Sequence, residues 1–359
     1  MPPVILFQPL NRIGLGHTSR LSAIALALRQ MDGATRTPFV VDGASHVLLD
    51  ALGLPYVPLP SSHSMYRTDR WDRWSKPERF EMAVALSHTI LGALRPGVVV
   101  FDGLPNRAFL RASVEAEVPC AICLREAKKG VYEERLGPHL AHFQCVIVPH
   151  DPGDYEIPRE LEARTHFVGP IVRPMTAPPR ESHERPVVLI TGGGGGYPGT
   201  VHFYNLALKA FAEARREDPR LDGRLVTGPL FDDWARLELV DGARVAPFDP
   251  HLTEGFAQAD LVVCQCGYNT MAELERVGTR TILVPAARTL DDQFARAQRL
   301  ARTYPHFSTF VGSSPQELGR LIVDAVAEGR RPPAPRPVAD RGAERAAAIL
   351  RAMATQREP

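Results

Sequence analysis

The sequence predicts an α/β protein built of two Rossmann-like, doubly wound domains. Three observations carry that expectation. Short, uniformly apolar runs such as Val4-Ile5-Leu6-Phe7 and Val98-Val99-Val100-Phe101 read as strands buried on both faces, as in a parallel sheet covered by helices. Such runs alternate with longer segments of helical period. The same order of strand, glycine-rich turn and helix begins again at Val187, after a proline-rich stretch.

Taken in order, Val4–Phe7 is followed by a glycine turn and then by Leu21, Ile24, Ala25 and Leu28, the i, i+3, i+4, i+7 positions of one helix face. Pro38–Val41, Val98–Phe101, Cys120–Cys123 and Val146–Val148 read as further strands. The stretch 169–186 holds five prolines, each lacking an N–H donor and disfavouring helix in the residue before it. It is the expected linker between a first domain, 1–168, and a second, 187–335. Strands are then expected at Val187–Ile190, near Leu225-Val226 and Val245-Ala246, at Leu261–Val263 and at Thr281–Val284, with a helix near 200–216. A second proline cluster precedes an arginine- and alanine-rich helix within 336–359, expected to pack back on the first domain.

The chain has 359 residues, and 42 Lys and Arg nearly balance 41 Asp and Glu. That balance argues against bulk electrostatic binding of nucleic acid. No apolar run reaches the roughly 18 residues of a membrane span, and the N-terminus lacks the layout of a signal peptide. Five cysteines do not make a disulfide framework. A reduced, cytoplasmic protein is expected. Cys120-x-x-Cys123 lies in an apolar run without a second pair at metal-ligand spacing, so buried thiols are favoured over zinc.

Four segments carry candidate chemistry. The first is Gly14-Leu15-Gly16-His17-Thr18-Ser19-Arg20, read as a loop between strand and helix. Gly16 leaves room for a ligand at the helix start. As a dinucleotide fingerprint it is incomplete, because Ser19 stands where the third glycine belongs, although Asp42 could serve as the ribose-binding acid. No GxxxxGK[ST] motif occurs. The second is the five-glycine run Gly192–Gly196. A bare turn needs one or two glycines, so close approach of a phosphate to the backbone is the better explanation.

The third segment runs from Cys266 to Glu273. Gly267 allows a turn, Asn269 and Thr270 stand at a helix start that favours an anion, and Glu273 lies one turn further on the same face. Its carboxylate can accept two hydrogen bonds from a vicinal diol such as a ribose; the competing reading is a helix cap and a first-turn charge. The fourth is Arg288–Gln293, where Asp292 and Gln293 suit sugar hydroxyls or, alternatively, cap a helix. A basic segment at 63–80, with Tyr66, Trp71, Trp74 and Phe80, is either an acceptor-side or membrane-surface element or a locally packed loop and helix.

These pieces in this order resemble the GT-B glycosyltransferases. They are most similar in style to the group around the enzyme that transfers N-acetylglucosamine to lipid-linked muramyl-pentapeptide. The matching stretches are GLGHTSR, VGPIVRP, LITGGGGG and the long run from VVCQCGYNTMAELERVG to TLDDQFARAQRLA. The first motif also resembles that of the UDP-sugar hydrolases of nonulosonic-acid pathways. The first loop lacks the G-G-T-G-G-H run of the muramyl group, so the resemblance does not extend to the acceptor.

The resemblance implies two domains facing across a cleft, and a nucleotide-sugar donor, most often a UDP-sugar, in the second. Gly193, Gly194 and Gly195 would lie along the diphosphate, with Asn269 and Thr270 opposite. Glu273 would take the ribose, Phe248 the base, and Asp292 and Gln293 the sugar. No metal or other cofactor is implied. His17 would face the donor as general base for an inverting transfer to a small-molecule or lipid-linked acceptor, an acceptor of the latter kind implying peripheral membrane contact. Neutral imidazole suits that role at cytoplasmic pH. Arg20, on the same helix face, either orients His17, binds an anionic acceptor, or is simply solvated. The competing functions are a UDP-sugar hydrolase, an NAD-dependent oxidoreductase using the first loop and Asp42, and a non-catalytic sensor.

Overall fold

The computed structural model describes residues 2–10, 14–41, 46–59, 74–153, 156–175, 185–329 and 341–356. The chain divides into two compact units, Met1–Arg173 with Val338–Pro359, and Pro174–Pro337.

In the first unit the elements are β1 (Ile5–Pro9), α1 (Gly16–Met31), β2 (Phe39–Val41), α2 (His46–Ala51), β3 (Tyr56–Pro58), α3 (Lys76–Leu94), β4 (Val98–Asp102), α4 (Arg107–Glu115), β5 (Cys120–Cys123), α5 (Val131–Leu136), β6 (Phe143–Val148) and β7 (Thr165–Phe167). Among the described residues the strands form one sheet in the order β3-β2-β1-β4-β5-β6-β7, and every pairing is parallel. Alternate residues of each strand enter opposite layers. Ile5, Phe7, Val98 and Val100 join a core with α1, while Leu6, Val99 and Phe101 join another with Phe109 and Leu110 of α4. This two-sided burial is why the strands are apolar without alternation.

The first unit continues to Arg173 rather than ending at 168. Val168 and Ile171 are buried in the α1 core, so these residues belong to the domain despite the neighbouring prolines. Residues 176–184 of the expected linker lie outside the described residues. The helix at Gly342–Thr355 packs on α1 through Ala346, Ala347, Leu350 and Ala354, and Arg351 meets Asp32 at 3.0 Å. Small side chains bring it close: a Cβ on Gly97 would lie 2.6 Å from the Ala354 carbonyl oxygen.

The second unit contains β8 (Val187–Thr191), α6 (Thr200–Glu217), β9 (Asp222–Val226), β10 (Ala243–Ala246), α7 (Leu252–Gln258), β11 (Leu261–Cys264), α8 (Tyr268–Val277), β12 (Thr281–Leu283), α9 (Gln293–Thr303), β13 (Phe307–Thr309) and α10 (Pro315–Ala327). Among the described residues its parallel sheet has the order β10-β9-β8-β11-β12-β13. The chain order reverses between β1 and β4 in the first sheet and between β8 and β11 in the second. In open α/β sheets, ligands bind beyond the carboxyl ends of the strands at such switch points.

Three strands escaped sequence reading: β3, β7 and β13. Each is an outer strand of three residues, largely half-buried or exposed, and so lacks the doubly buried apolar signal. The cysteine pair of β5 is buried on both faces, and burial raises the Cys120 thiol to about 12.

Candidate functional site

The loop after β1 is shorter than its glycines suggest. Helix α1 already begins at Gly16, and the Ser19 N–H closes the first turn on the Leu15 carbonyl at 2.8 Å. His17 therefore stands on a helix rather than on a loop, at the carboxyl end of β1. The adjoining strand at the switch point is β4, whose last residue is Asp102; Pro9 and Asp102 are register partners.

Asp102 Oδ1 accepts a hydrogen bond from His17 Nδ1 at 2.7 Å. Arg20, one helical turn beyond His17, grips the same carboxylate with both arms: Nε to Oδ2 at 2.8 Å and Nη2 to Oδ1 at 2.7 Å. Asp102 and Arg20 are completely buried, while the His17 side chain retains 21% exposure. The solvated reading of Arg20 is thus wrong: Arg20 is an internal counter-ion. Burial alone would raise the Asp102 pKa, but Arg20 and then His17 outweigh it and hold the carboxyl below its ordinary value. An ionised carboxylate only accepts, so His17 Nδ1 carries the hydrogen and the lone pair falls on Nε2. Burial lowers the His17 pKa below 6.5; Asp102 opposes this, and the charges of Arg20 and Arg125 add to it. The imidazole is a neutral base at neutral pH. Gly103, at φ +72°, packs against the ring, where a Cβ would lie 2.7 Å from His17 Cε1.

At the second switch point the glycine run leaves β8 and leads to α6. Gly193 and Gly195 have φ of +77° and +83°, which only glycine adopts without strain. The run is seated by the turn after β9. The Leu230 N–H donates to the Gly194 carbonyl at 3.0 Å, and a Cβ on Gly228 would collide with the Gly193 and Gly194 backbone. Tyr204 of α6 fixes the start of the run, its hydroxyl accepting from the Gly192 N–H at 3.2 Å and donating to the Thr227 carbonyl at 2.5 Å.

Across the β8/β11 gap stands the start of α8. Its N-cap is Gly267, without a capping side chain, and Asn269 and Thr270 lie in the first turn rather than at the cap. Thr270 Oγ1 lies 3.9 Å from where a Gly193 Cβ would be and 3.8 Å from that of Gly267. Glycine run, threonine hydroxyl and helix start therefore line one cradle, with a positive dipole end suited to phosphate; the Gly193 N–H donates to Thr191 Oγ1 at 3.2 Å. Glu273 is buried one turn further along α8.

Phe248 is half-buried just beyond β10, at the carboxyl end of the outer strand. Asp292 is the N-cap of α9, accepting from the Ala295 N–H, as its capping alternative foresaw. Gln293 is buried, and its Oε1 accepts from the Ala286 N–H at 3.0 Å. Asp42, Tyr66 and Trp71 lie outside the described residues; Trp74 is exposed.

Sequence reasoning missed Asp102, Gly103, Gly228 and Tyr204. Asp102 was legible only as the end of an apolar run.

Two doubly wound parallel sheets, each with ligand-binding geometry at its switch point, define the GT-B fold. A solved calicheamicin glycosyltransferase, CalG4, shares it with a TM-score of 0.60 at 17% identity, each chain covered completely. Residues 187–334 match the glycosyltransferase family 28 C-terminal domain. Curated relatives are named UDP-N-acetylglucosamine–N-acetylmuramyl-(pentapeptide) pyrophosphoryl-undecaprenol N-acetylglucosamine transferase. The protein of that name from Methylobacterium sp. (strain 4-46) is 31% identical over 314 residues, covering 81% of this chain and 80% of the relative. That from Rhizobium leguminosarum bv. trifolii (strain WSM2304) is 28% identical over 249 residues, covering 65% of this chain and 62% of the relative. The chain belongs to this family of glycosyltransferases.

Proposed function

We propose that the protein is an inverting, metal-independent glycosyltransferase that moves a sugar from a UDP-sugar to an acceptor hydroxyl or amine, with His17 as general base. The observation that carries this reading is the phosphate-type cradle at the second switch point: Gly193–Gly195, Thr270 and the uncapped start of α8. The names of the relatives support uridine as the base and N-acetylglucosamine as the first sugar to test. A lipid-linked acceptor, which would bring the protein to a membrane surface, rests on the same names; no described helix is long and apolar enough to cross a membrane.

In this reading each unit supplies half of the reaction. The second grips the donor, with Glu273 on the ribose, Phe248 at the base, and Asp292 and Gln293 near the sugar. Charge developing on the departing diphosphate is met by main-chain N–H groups and the α8 dipole, donors already oriented before the reaction. The first unit supplies the base. His17 Nε2 takes the acceptor proton as the acceptor atom attacks the anomeric carbon, and Asp102 stabilises the resulting imidazolium. One displacement inverts the anomeric centre. The buried Arg20 keeps Asp102 ionised and fixed.

The test is a thermal-shift panel of nucleotide sugars, followed by incubation of the best binder with and without muramyl-lipid acceptors. Selective stabilisation by a UDP-sugar and acceptor-dependent release of UDP, unaffected by EDTA, are expected. Rapid release of free sugar without acceptor would make the protein a hydrolase instead. Absence of any nucleotide-dependent stabilisation would overturn the reading altogether.

A further inference from the structure

Beside the cradle lies a cation that the reading above does not use. Arg288 follows β12 on the segment leading to α9. Its guanidinium lies 3.4 Å from the centroid of the Tyr197 ring. Tyr197 belongs to the glycine-rich loop, and its hydroxyl donates to the Ala287 carbonyl at 3.3 Å. A stack and a hydrogen bond thus tie the loop after β8 to the loop after β12. Arg288 Nη2 also donates to Gln265 Oε1 at 2.7 Å. Gln265 directly follows β11, and its N–H points to the Thr191 carbonyl, at the end of β8, at 3.3 Å. These contacts hold the guanidinium over the β8/β11 gap, at the switch point, alongside the run that begins at Gly192.

We propose that Arg288 is a donor-binding residue whose guanidinium engages the diphosphate of the nucleotide, and that Tyr197 is the positioning residue that keeps it there. The proposal rests on the nucleotide-sugar reading and deepens it, since it adds a side-chain cation to a cradle otherwise made of uncharged groups, the glycine run, the Thr270 hydroxyl and the start of α8. A planar guanidinium matches two phosphate oxygens at once. Stacking on Tyr197 and the bond to Gln265 restrict its rotamers before ligand arrives, so little side-chain entropy remains to be lost on binding. Arg288 is half-buried; burial lowers its pKa, while Tyr197, Asp291 and Tyr204 oppose the shift, and a bound phosphate would add to that opposition. The nearby carboxylate of Asp291 is held by Arg296, Nη2 to Oδ1 at 2.6 Å, and Arg296 also donates to the Cys266 carbonyl ahead of α8.

The experiment compares binding of uridine, UMP and UDP to the full chain, wild type against Arg288→Gln, Arg288→Lys and Tyr197→Leu, by calorimetry or displacement at two salt concentrations. Arg288→Gln is expected to weaken UDP about tenfold or more, to leave uridine unchanged, and to flatten the salt dependence of UDP binding. Arg288→Lys should recover part of the loss, because it restores charge without the fork. Tyr197→Leu keeps the guanidinium but frees it; a loss of about threefold, confined to UMP and UDP, is expected, and it reports the same role should Arg288→Gln fold poorly. A purely structural staple would instead lower the melting temperature and weaken uridine and UDP equally, or leave both unchanged; either result overturns the inference alone. Failure of the wild type to bind any nucleoside diphosphate would overturn the nucleotide-sugar reading with it.

Discussion

His17 Nδ1 and Asp102 Oδ1 are 2.7 Å apart although 85 positions separate them in the chain. The pairing follows from the sheet order. β1 and β4 are neighbours at the switch point, so the first turn of the helix after β1 meets the last residue of β4. Arg20 then closes the group, sharing Oδ1 with His17 through Nη2 and taking Oδ2 through Nε.

Removal of the imidazole should separate chemistry from binding. His17→Ala is expected to lower kcat by about 10²–10⁴ while the Kd for UDP stays within about twofold. Single-turnover rates and calorimetry check this. Wild-type turnover in the variant would dismiss His17 as the base.

The carboxylate and its counter-ion should have different signatures. Asp102→Asn permits the wrong histidine tautomer, so kcat should fall by more than about tenfold with donor affinity unchanged. Arg20→Met leaves a buried carboxylate uncompensated and should destabilise the first unit by about 3–5 kcal/mol, read by urea unfolding. Arg20 holds the Asp102 pKa down, so this contribution is fully present above the ordinary carboxylate value and lost as pH falls from there through the lowered folded value.

The pH profile should have its acidic limb low. The His17 pKa lies below 6.5, so kcat/KM is expected to stay level from about pH 8 to 6.5 and to fall only below that. Arg125 contributes to the depression; Arg125→Gln should move the limb upward, toward 6.5. A limb above pH 7 in the wild type would contradict the neutral imidazole.

Glu273 should discriminate ribose from deoxyribose. On the proposed reading the wild type prefers UDP over dUDP, and Glu273→Ala should reduce that preference by about tenfold, since a hydrogen bond to a charged group contributes about 1.5–3 kcal/mol. Equal ratios in both proteins would remove Glu273 from the ribose site.

Gly228, outside the glycine run, should behave as part of it. Gly228→Ala places a methyl group against the Gly193 and Gly194 backbone at φ +86°, so the run must shift. UDP affinity should drop by about tenfold or more. Retained affinity would show that the seating turn yields.

Much of the fold was legible because doubly buried strands have a strong signature. Val98-Val99-Val100 serves two cores at once, so it cannot alternate polar and apolar residues. Tyr56–Pro58 and Thr165–Phe167, on outer strands, are under no such constraint and carried no signal. Of the candidate site, Gly193, Thr270 and His17 were legible, since glycine runs and helix starts are local features. For Asp292 local pattern allowed both a sugar ligand and a cap; the structure shows the capping bond, which does not decide between them.

By itself the order of residues determined two α/β units, their apolar strands, and glycine-bearing turns at the start of helices. These are consequences of backbone sterics and of which side chains avoid water, and both act over a few residues. Tertiary structure alone decided that Asp102 would meet His17 and Arg20, that Gly228 would seat the glycine run, and that Tyr197 would stack on Arg288. Those partners come from different strands and loops. Their meeting depends on which strands are neighbours at the switch points, which is settled by packing whole helices onto a twisted sheet and not by any short stretch of chain.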